Sequence, residues 1–299
     1  MINYNPKDWF FFLFRFPKAD TFRKLLPLMI GVSFYSGMIA YLELNYLNLA
    51  ESNHIRNVGL MHGVLGFVIS LLLVFRTNTA YDRWWEGRKI WGSLTNTSRN
   101  LAIMLQAYLH NDDDKAFFRK TIPSYAFALK NLLRENEDYH DLDPVLDLKK
   151  ERHLPNQIAA CIYTKLMQLQ TEGKLSVTQM LALDTEVRAL TNHCGACERI
   201  KNTPIPFTYS VFIKKFIFFF VMTLPFGWVF SMGYYVIPVV VLILYALASL
   251  ELIAEEIENP FGTDANDLPI DQICHNIRKH VGELLEEPYT PAIQAVTAE

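Results

Sequence analysis

Phe75-Arg76-Thr77-Asn78-Thr79-Ala80-Tyr81-Asp82-Arg83-Trp84-Trp85-Glu86-Gly87-Arg88 follows directly on the run Val64 to Val74, which is apolar except at Ser70. An apolar segment long enough to enter a bilayer thus emerges as a stretch dense in arginine, tryptophan and carboxylate. Chains that cross from hydrocarbon into water place Trp and Arg at that boundary. The junction reads as a membrane helix that continues into the aqueous phase as a rigid rod.

The rest of the chain agrees. About half of its 299 residues are apolar, and net charge is −3. The apolar residues bunch before residue 76 and after residue 206, whereas the middle and tail are charged. This is the composition of a membrane protein with a large aqueous portion. A charge so near zero offers no basic field for nucleic acid. The four cysteines, Cys161, Cys194, Cys197 and Cys274, all fall in parts expected in the cytosol, so reduced thiols are expected.

Four spans are expected: about Leu25 to Leu44, Val58 to Phe75, Phe216 to Phe230 and Tyr234 to Leu250. Each approaches the ~20 residues that cross the hydrocarbon, the third only if Tyr209 to Ile213 joins it. Lys18, Arg23 and Lys24 precede the first span, Arg76, Arg83, Arg88 and Lys89 follow the second, and Lys214 and Lys215 precede the third. The intervening loops hold only Arg56. The positive-inside rule then puts both termini and the middle in the cytosol. Trp9 to Phe14 is too short for a signal-peptide core and reads as an interfacial anchor. The expected organisation is an interfacial segment over 1–24, spans over 25–75, a helical cytosolic region over 76–207, spans over 208–254 and a cytosolic turn, helix and tail over 255–299.

Within the cytosolic region, Asn111-Asp112-Asp113-Asp114 is a break and a helix start. Ser176-Val177-Thr178-Gln179 fits a capping box opening a helix to about Cys194. Asn136 to Leu154 reads as loop-rich, and Pro204 and Pro206 end the helical region. No strand alternation is convincing, so the fold class is all-α.

At 100° per residue, the second span has two unlike faces. Gly59, Gly63, Gly66 and Ser70 fall on one side with His62 beside them; Leu60, Val64, Phe67, Val68 and Leu71 fall opposite. The small side suits close helix packing. The bulky side suits either lipid contact or a pore wall that gates by dewetting. His62 is a functional candidate by its place in a membrane, or a satisfied packing histidine. Beyond Phe75, Arg83, Glu86 and Lys89 are spaced for helical ion pairs, and Trp84 and Arg88 for a cation–π contact.

Past the fourth span, Pro260 and Gly262 force a turn after Asn259. Asn259, Asp264 and Asp267 are candidate oxygen ligands for Ca2+, although the EF-hand register is absent. The alternative is a solvated acidic turn that caps the next helix. The single CxxC at Cys194 and Cys197 lacks the second pair that a structural zinc site wants, which favours small buried thiols. No P-loop, dinucleotide fingerprint, HExxH or nucleophile elbow occurs, so nothing argues for an enzyme.

The run from Phe75 through Trp91 and Gly92, the block Asn259-Pro260-Phe261-Gly262 with Asp264 and Asp267, and Cys194 through Pro206 to Tyr209 together resemble the bestrophin family, in particular its bacterial members. The resemblance covers about residues 10–285. It implies a homopentameric ion channel in the bacterial inner membrane, five second spans lining one axial pore. It places the hydrophobic neck at Leu60, Val64 and Val68, and so assigns the bulky face to the pore. A cytosolic aperture falls near Thr178, a polar departure from the usual aliphatic ring. Arg76, Tyr81, Asp82, Arg83, Trp84, Trp85 and Arg88 form the gating junction. The turn is similar to the one that clasps Ca2+ in animal members, but its acidic run is shorter. Passive flow of small monovalent ions is expected, with chloride and other anions favoured. The alternatives are a sodium channel of the same fold and a non-conducting membrane anchor or sensor.

Overall fold

A computed structural model describes residues 21–47, 53–137, 139–142, 146 and 148–286, with the side chains of residues 47, 53–58 and 60 left out of the description. The expected anchor at Trp9 to Phe14 lies outside these residues. Among the described residues the fold is helical and contains no strand. The helices are α1 (Thr21–Leu42), α2 (Asn53–Tyr108), α3 (Asp112–Arg134), α4 (Leu154–Thr171), α5 (Val177–Asn202), α6 (Phe207–Met232), α7 (Val236–Glu258) and α8 (Ile270–Glu286). The chain divides into two compact units, one of Met1–Trp85 with Thr203–Asp267, the other of Glu86–Asn202 with Leu268–Glu299.

The first unit holds three stretches long and apolar enough to cross a membrane, Thr21–Tyr46, Met61–Tyr108 and Phe207–Glu258, the second of which runs on into the other unit. The last is not one rod. Lys214 pairs with Glu255 at 2.9 Å, whereas 41 residues of continuous helix would set them roughly 60 Å apart. The chain reverses at the 3-10 turn Gly233–Tyr235, where Gly233 takes φ 56°, open to glycine at little cost. α1 runs antiparallel to α7: Ser249 donates to Thr21 Oγ1 at 3.1 Å near one end, and a Cβ on Gly37 would lie 3.5 Å from Ile237 near the other. α2 runs antiparallel to α6, with Gly66 against Phe220 and Tyr209 donating to the Leu72 carbonyl at 3.3 Å. The core of this bundle includes Val32, Ile69, Leu73, Val221, Leu224 and Val240. The third expected span is therefore long enough, because α6 starts at Phe207 and takes in Tyr209 to Ile213.

The second unit is built around α3, whose residues 121–131 are buried on every side. A helix buried all round needs its polar groups answered. Tyr125 Oη donates to the Leu190 carbonyl at 2.8 Å, and Lys130 faces Asp141 and Asp271 at 3.5 and 3.3 Å. α8 covers α3 with the stripe Ile270, Cys274, Ile277, Val281 and Leu285. Asn111 caps α3 by accepting from the Asp113 N–H at 2.9 Å. The Ser176–Gln179 box forms reciprocally, at 2.9 and 3.3 Å. α5 continues to Asn202, past the expected end near Cys194. Gly195 stands in open space, where it fits a helix, and the chain breaks only before Pro204.

Asp114 is buried on α3 and held by Lys165 at 2.7 Å and Lys174 at 2.8 Å. Burial pushes its carboxyl up, but the two lysine hydrogen bonds outweigh burial and leave it below the ordinary aspartate range. A depressed carboxyl contributes stability that is complete above the unfolded-state pKa and is lost as pH falls through the folded-state value. Acid unfolding followed by circular dichroism should therefore show a shallower loss below about pH 4 in Asp114→Asn, which starts from lower stability at neutral pH.

Candidate pore helix and gating junction

α2 is one unbroken helix of 56 residues, roughly 84 Å long. In its apolar half the buried row is His62, Ile69, Leu73, Arg76 and Ala80, with Gly66 half-buried beside it. This row faces α6. Thr223 donates its hydroxyl to the Phe220 carbonyl at 2.9 Å, so it accepts from His62 Nε2–H at 3.0 Å. The His62 ring meets Phe220 edge-on at 5.8 Å. His62 thus packs against α6 with its Nε2 in that hydrogen bond.

The bulky face points away from this contact. Val64 is 66% exposed, Phe67 70% and Val68 38%. The 60/64/68 row lies about 160° around the helix from the buried row. Leu60 shares the row by register; its side chain is not described. The small face is mostly open within the chain. Gly59 and Gly63 have nothing within 4 Å where a side chain would start, and Ser70 is exposed. The contact within the chain is centred farther round, where α6 presents the large Phe220 to Gly66 and to the His62 ring.

The charged half of the junction is fastened to the end of α7. Arg76 is 1% exposed; its Nη2 donates to Glu258 Oε2 at 2.7 Å, and its Nε stands 3.6 Å from Glu251 Oε2. The other Glu258 oxygen accepts from the Ile205 N–H at 2.7 Å. Arg83 Nε donates to the Glu258 carbonyl at 3.1 Å, and its Nη1 donates to the Thr203 carbonyl. Trp84 Nε1 donates to the Asn266 carbonyl at 3.1 Å, while its ring stacks between Tyr81 and Trp85 with centroids 6.1 and 6.5 Å away. Asp82 and Arg88 are exposed. Spacing along the helix pointed to near neighbours as partners; the fold supplies distant ones. Glu86, for instance, pairs with Arg199 at 2.7 Å. Sequence reasoning missed Glu251 and Glu258 as partners of Arg76. The available signal was one isolated carboxylate, Glu251, at the end of an apolar helix, which calls for a buried partner.

The turn after α7 is held by its own backbone. Asp267 is buried, and its Oδ2 accepts the Asp264 N–H at 2.7 Å. A Cβ on Gly262 would stand 2.6 Å from that same oxygen. Asp264 is exposed, and Asn259 closes α7. Asp267 thus ties the turn through one carboxylate oxygen. Gly262→Ala should lower stability by roughly 1–3 kcal/mol through that overlap, read as a lower thermal midpoint in detergent.

Thr178 is exposed on the first turn of α5, where Val177 and Leu181 are exposed too. Cys194 and Cys197 are buried.

A profile of the family described as Bacterial/Fungal Bestrophin protein matches residues 1–283. The chain belongs to this family. It is 38% identical over 228 residues to a voltage-dependent anion channel-forming protein of Nostoc, covering 73% of this chain and 74% of the relative. A protein of the same description from Synechocystis is 36% identical, over 75% of this chain and 77% of that one. Among solved structures, a point variant of a bacterial bestrophin homologue from Klebsiella pneumoniae superimposes with a TM-score of 0.80 at 28% identity, covering 88% of this chain and 100% of that one. Membership and the long apolar helices make this bestrophin a membrane protein. In this family member the two most telling stretches of sequence, Phe75 to Arg88 and Asn259 to Asp267, meet through the hydrogen bond from Trp84 to Asn266.

Proposed function

We propose that this bestrophin is the subunit of a homopentameric channel that passes small anions, chloride among them, down their gradient. α1, the apolar half of α2, α6 and α7 are its four spans, with both termini on the cytosolic side of the bacterial inner membrane. The observation that carries the reading is the two-faced apolar half of α2: one row packed on α6, the opposite row bulky, apolar and open. Five such helices around an axis give that row a partner, with Leu60, Val64 and Val68 as stacked apolar rings. The open stripe at Gly59, Gly63 and Ser70 lies on the flank between the two rows, where a neighbouring copy's helix approaches closely.

The mechanism is hydrophobic gating. When the rings are close, water leaves the neck and an ion would have to shed its shell; when they separate, a partly hydrated ion passes. The hydrogen bonds of Arg76, Arg83 and Trp84 to Glu258, Thr203 and Asn266 link the base of that helix to the turn at 259–267, so movement of the turn reaches the neck. A second constriction lies at the start of α5, around Thr178, where exposed Val177 and Leu181 supply aliphatic alternatives for the ring. The choice of anions follows the descriptions of the cyanobacterial relatives.

The test is a planar-bilayer recording with purified protein under a KCl gradient. A reversal potential near the chloride equilibrium value is expected. A value near the potassium one overturns the anion assignment, and absence of current overturns conduction.

A further inference from the structure

One cluster of ligating side chains takes no part in the conduction described above. His153 is the N-cap of α4, and Cys194 and Glu198 stand one turn apart on α5. The ligand atoms of the three lie within 4.8 Å of one another, the one such group of three among the described residues. His153 Nε2 and Glu198 Oε1 are 2.9 Å apart. Cys194 is buried beneath them, while His153 and Glu198 are half-exposed, so a cation has a route in from solvent.

We propose that His153, Cys194 and Glu198 form a zinc-binding site. The donor set decides the metal. One imidazole nitrogen, one sulfur and one carboxylate oxygen suit a borderline-soft, tetrahedral ion, whereas Ca2+ and Mg2+ require oxygen throughout. The geometry fits with small side-chain movements. Around tetrahedral Zn2+, with bonds of about 2.0–2.3 Å, donor atoms stand roughly 3.3–3.6 Å apart. The His153–Glu198 pair must open by a few tenths of an ångström, and the thiol closes in from beneath. A fourth position is left for water.

The proton balance is explicit. His153 Nδ1 now accepts the Asn156 N–H at 3.2 Å. Binding through Nε2 moves the ring proton to Nδ1 and exchanges that long cap contact for the metal bond. Burial pushes the Cys194 thiol up to about 12, so it is neutral in the metal-free chain; the divalent ion takes the thiolate, and one proton leaves to solvent. The CxxC pattern is incidental: Cys197 is fully buried and is not in the group. The partners that a second CxxC would have supplied come from His153 and Glu198, 41 residues upstream and four downstream of Cys194.

The test uses the tag-free full chain in detergent, stripped with chelator and titrated with CoCl2 and then ZnCl2. One Co2+ per chain is expected, with a thiolate-to-cobalt charge-transfer band that Zn2+ displaces, and zinc should raise the thermal midpoint because it binds only the folded state. Cys194→Ser should abolish the band, His153→Gln and Glu198→Gln should each weaken zinc binding at least tenfold, and Cys197→Ser should keep the band. No binding at micromolar zinc to the wild type overturns the site. So does a band that survives Cys194→Ser, or zinc affinity unchanged in His153→Gln. The His153 and Glu198 variants alter half-exposed side chains, so they remain informative if Cys194→Ser fails to fold.

Discussion

Replacing Leu60, Val64 and Val68 together by alanine is expected to raise ion flux by at least tenfold and to weaken discrimination among anions of different size. The side chains at 64 and 68 are open to the surroundings and touch no core of their own chain, so the change should leave the fold intact. In a pentamer, fifteen truncated side chains would widen the neck and let water stay in it. A tenfold rise requires only about 1.4 kcal/mol off the barrier, small against the cost of stripping an ion of its shell in an apolar constriction. Liposome flux by stopped flow, with circular dichroism to verify folding, measures the outcome. Unchanged flux and selectivity would remove these three residues from the neck and return the bulky face to lipid.

The second large effect is on stability. Arg76→Met should cost about 3–5 kcal/mol, because it leaves the buried Glu251 and the half-buried Glu258 without their cation. Glu258→Gln should cost less, since Glu251 stays 3.6 Å from the guanidinium and the substituted amide's carbonyl oxygen still accepts from Ile205 N–H. The two changes share one interaction, so the double variant should fall well short of their sum. Thermal unfolding in detergent gives all three values. Additive losses would mean that Arg76 and Glu258 do not act as a pair. Channels with the weakened pair should also show altered open probability, because Glu258 is the one residue tied to Arg76, Arg83 and Ile205 at once.

Much of this was legible in the sequence because it depends on local rules. Caps at Asn111 and Ser176 use side chains two or three residues away. Apolar stretches declare themselves by composition, and Pro204 and Pro206 stop a helix wherever it is packed. The helix from the membrane through Phe75 to Arg88 was legible for the same reason, since nothing in that run breaks it. The faces of α2 were half legible. Periodicity separated bulky from small residues correctly, yet the buried row ran through His62, Ile69 and Leu73 rather than along the glycines. Which row is covered depends on what α6 brings, and Phe220 fits beside Gly66 in a way that no property of α2 announces.

The candidate site divides along the same line. The sequence by itself determined the helices, the apolar stretches and the family pattern at Phe75 to Arg88 and Asn259 to Asp267, since each is written in residues close together in the chain. Only the tertiary structure decided the partners: Arg76 with Glu251 and Glu258, Trp84 with Asn266, and His153 brought over Cys194 and Glu198. A charge on a helix meets its near neighbours by default, and spacing predicts those pairs. Once it is buried, it must be answered by whatever group the fold delivers from far away. Desolvation makes that answer obligatory, but no local pattern records which group it is.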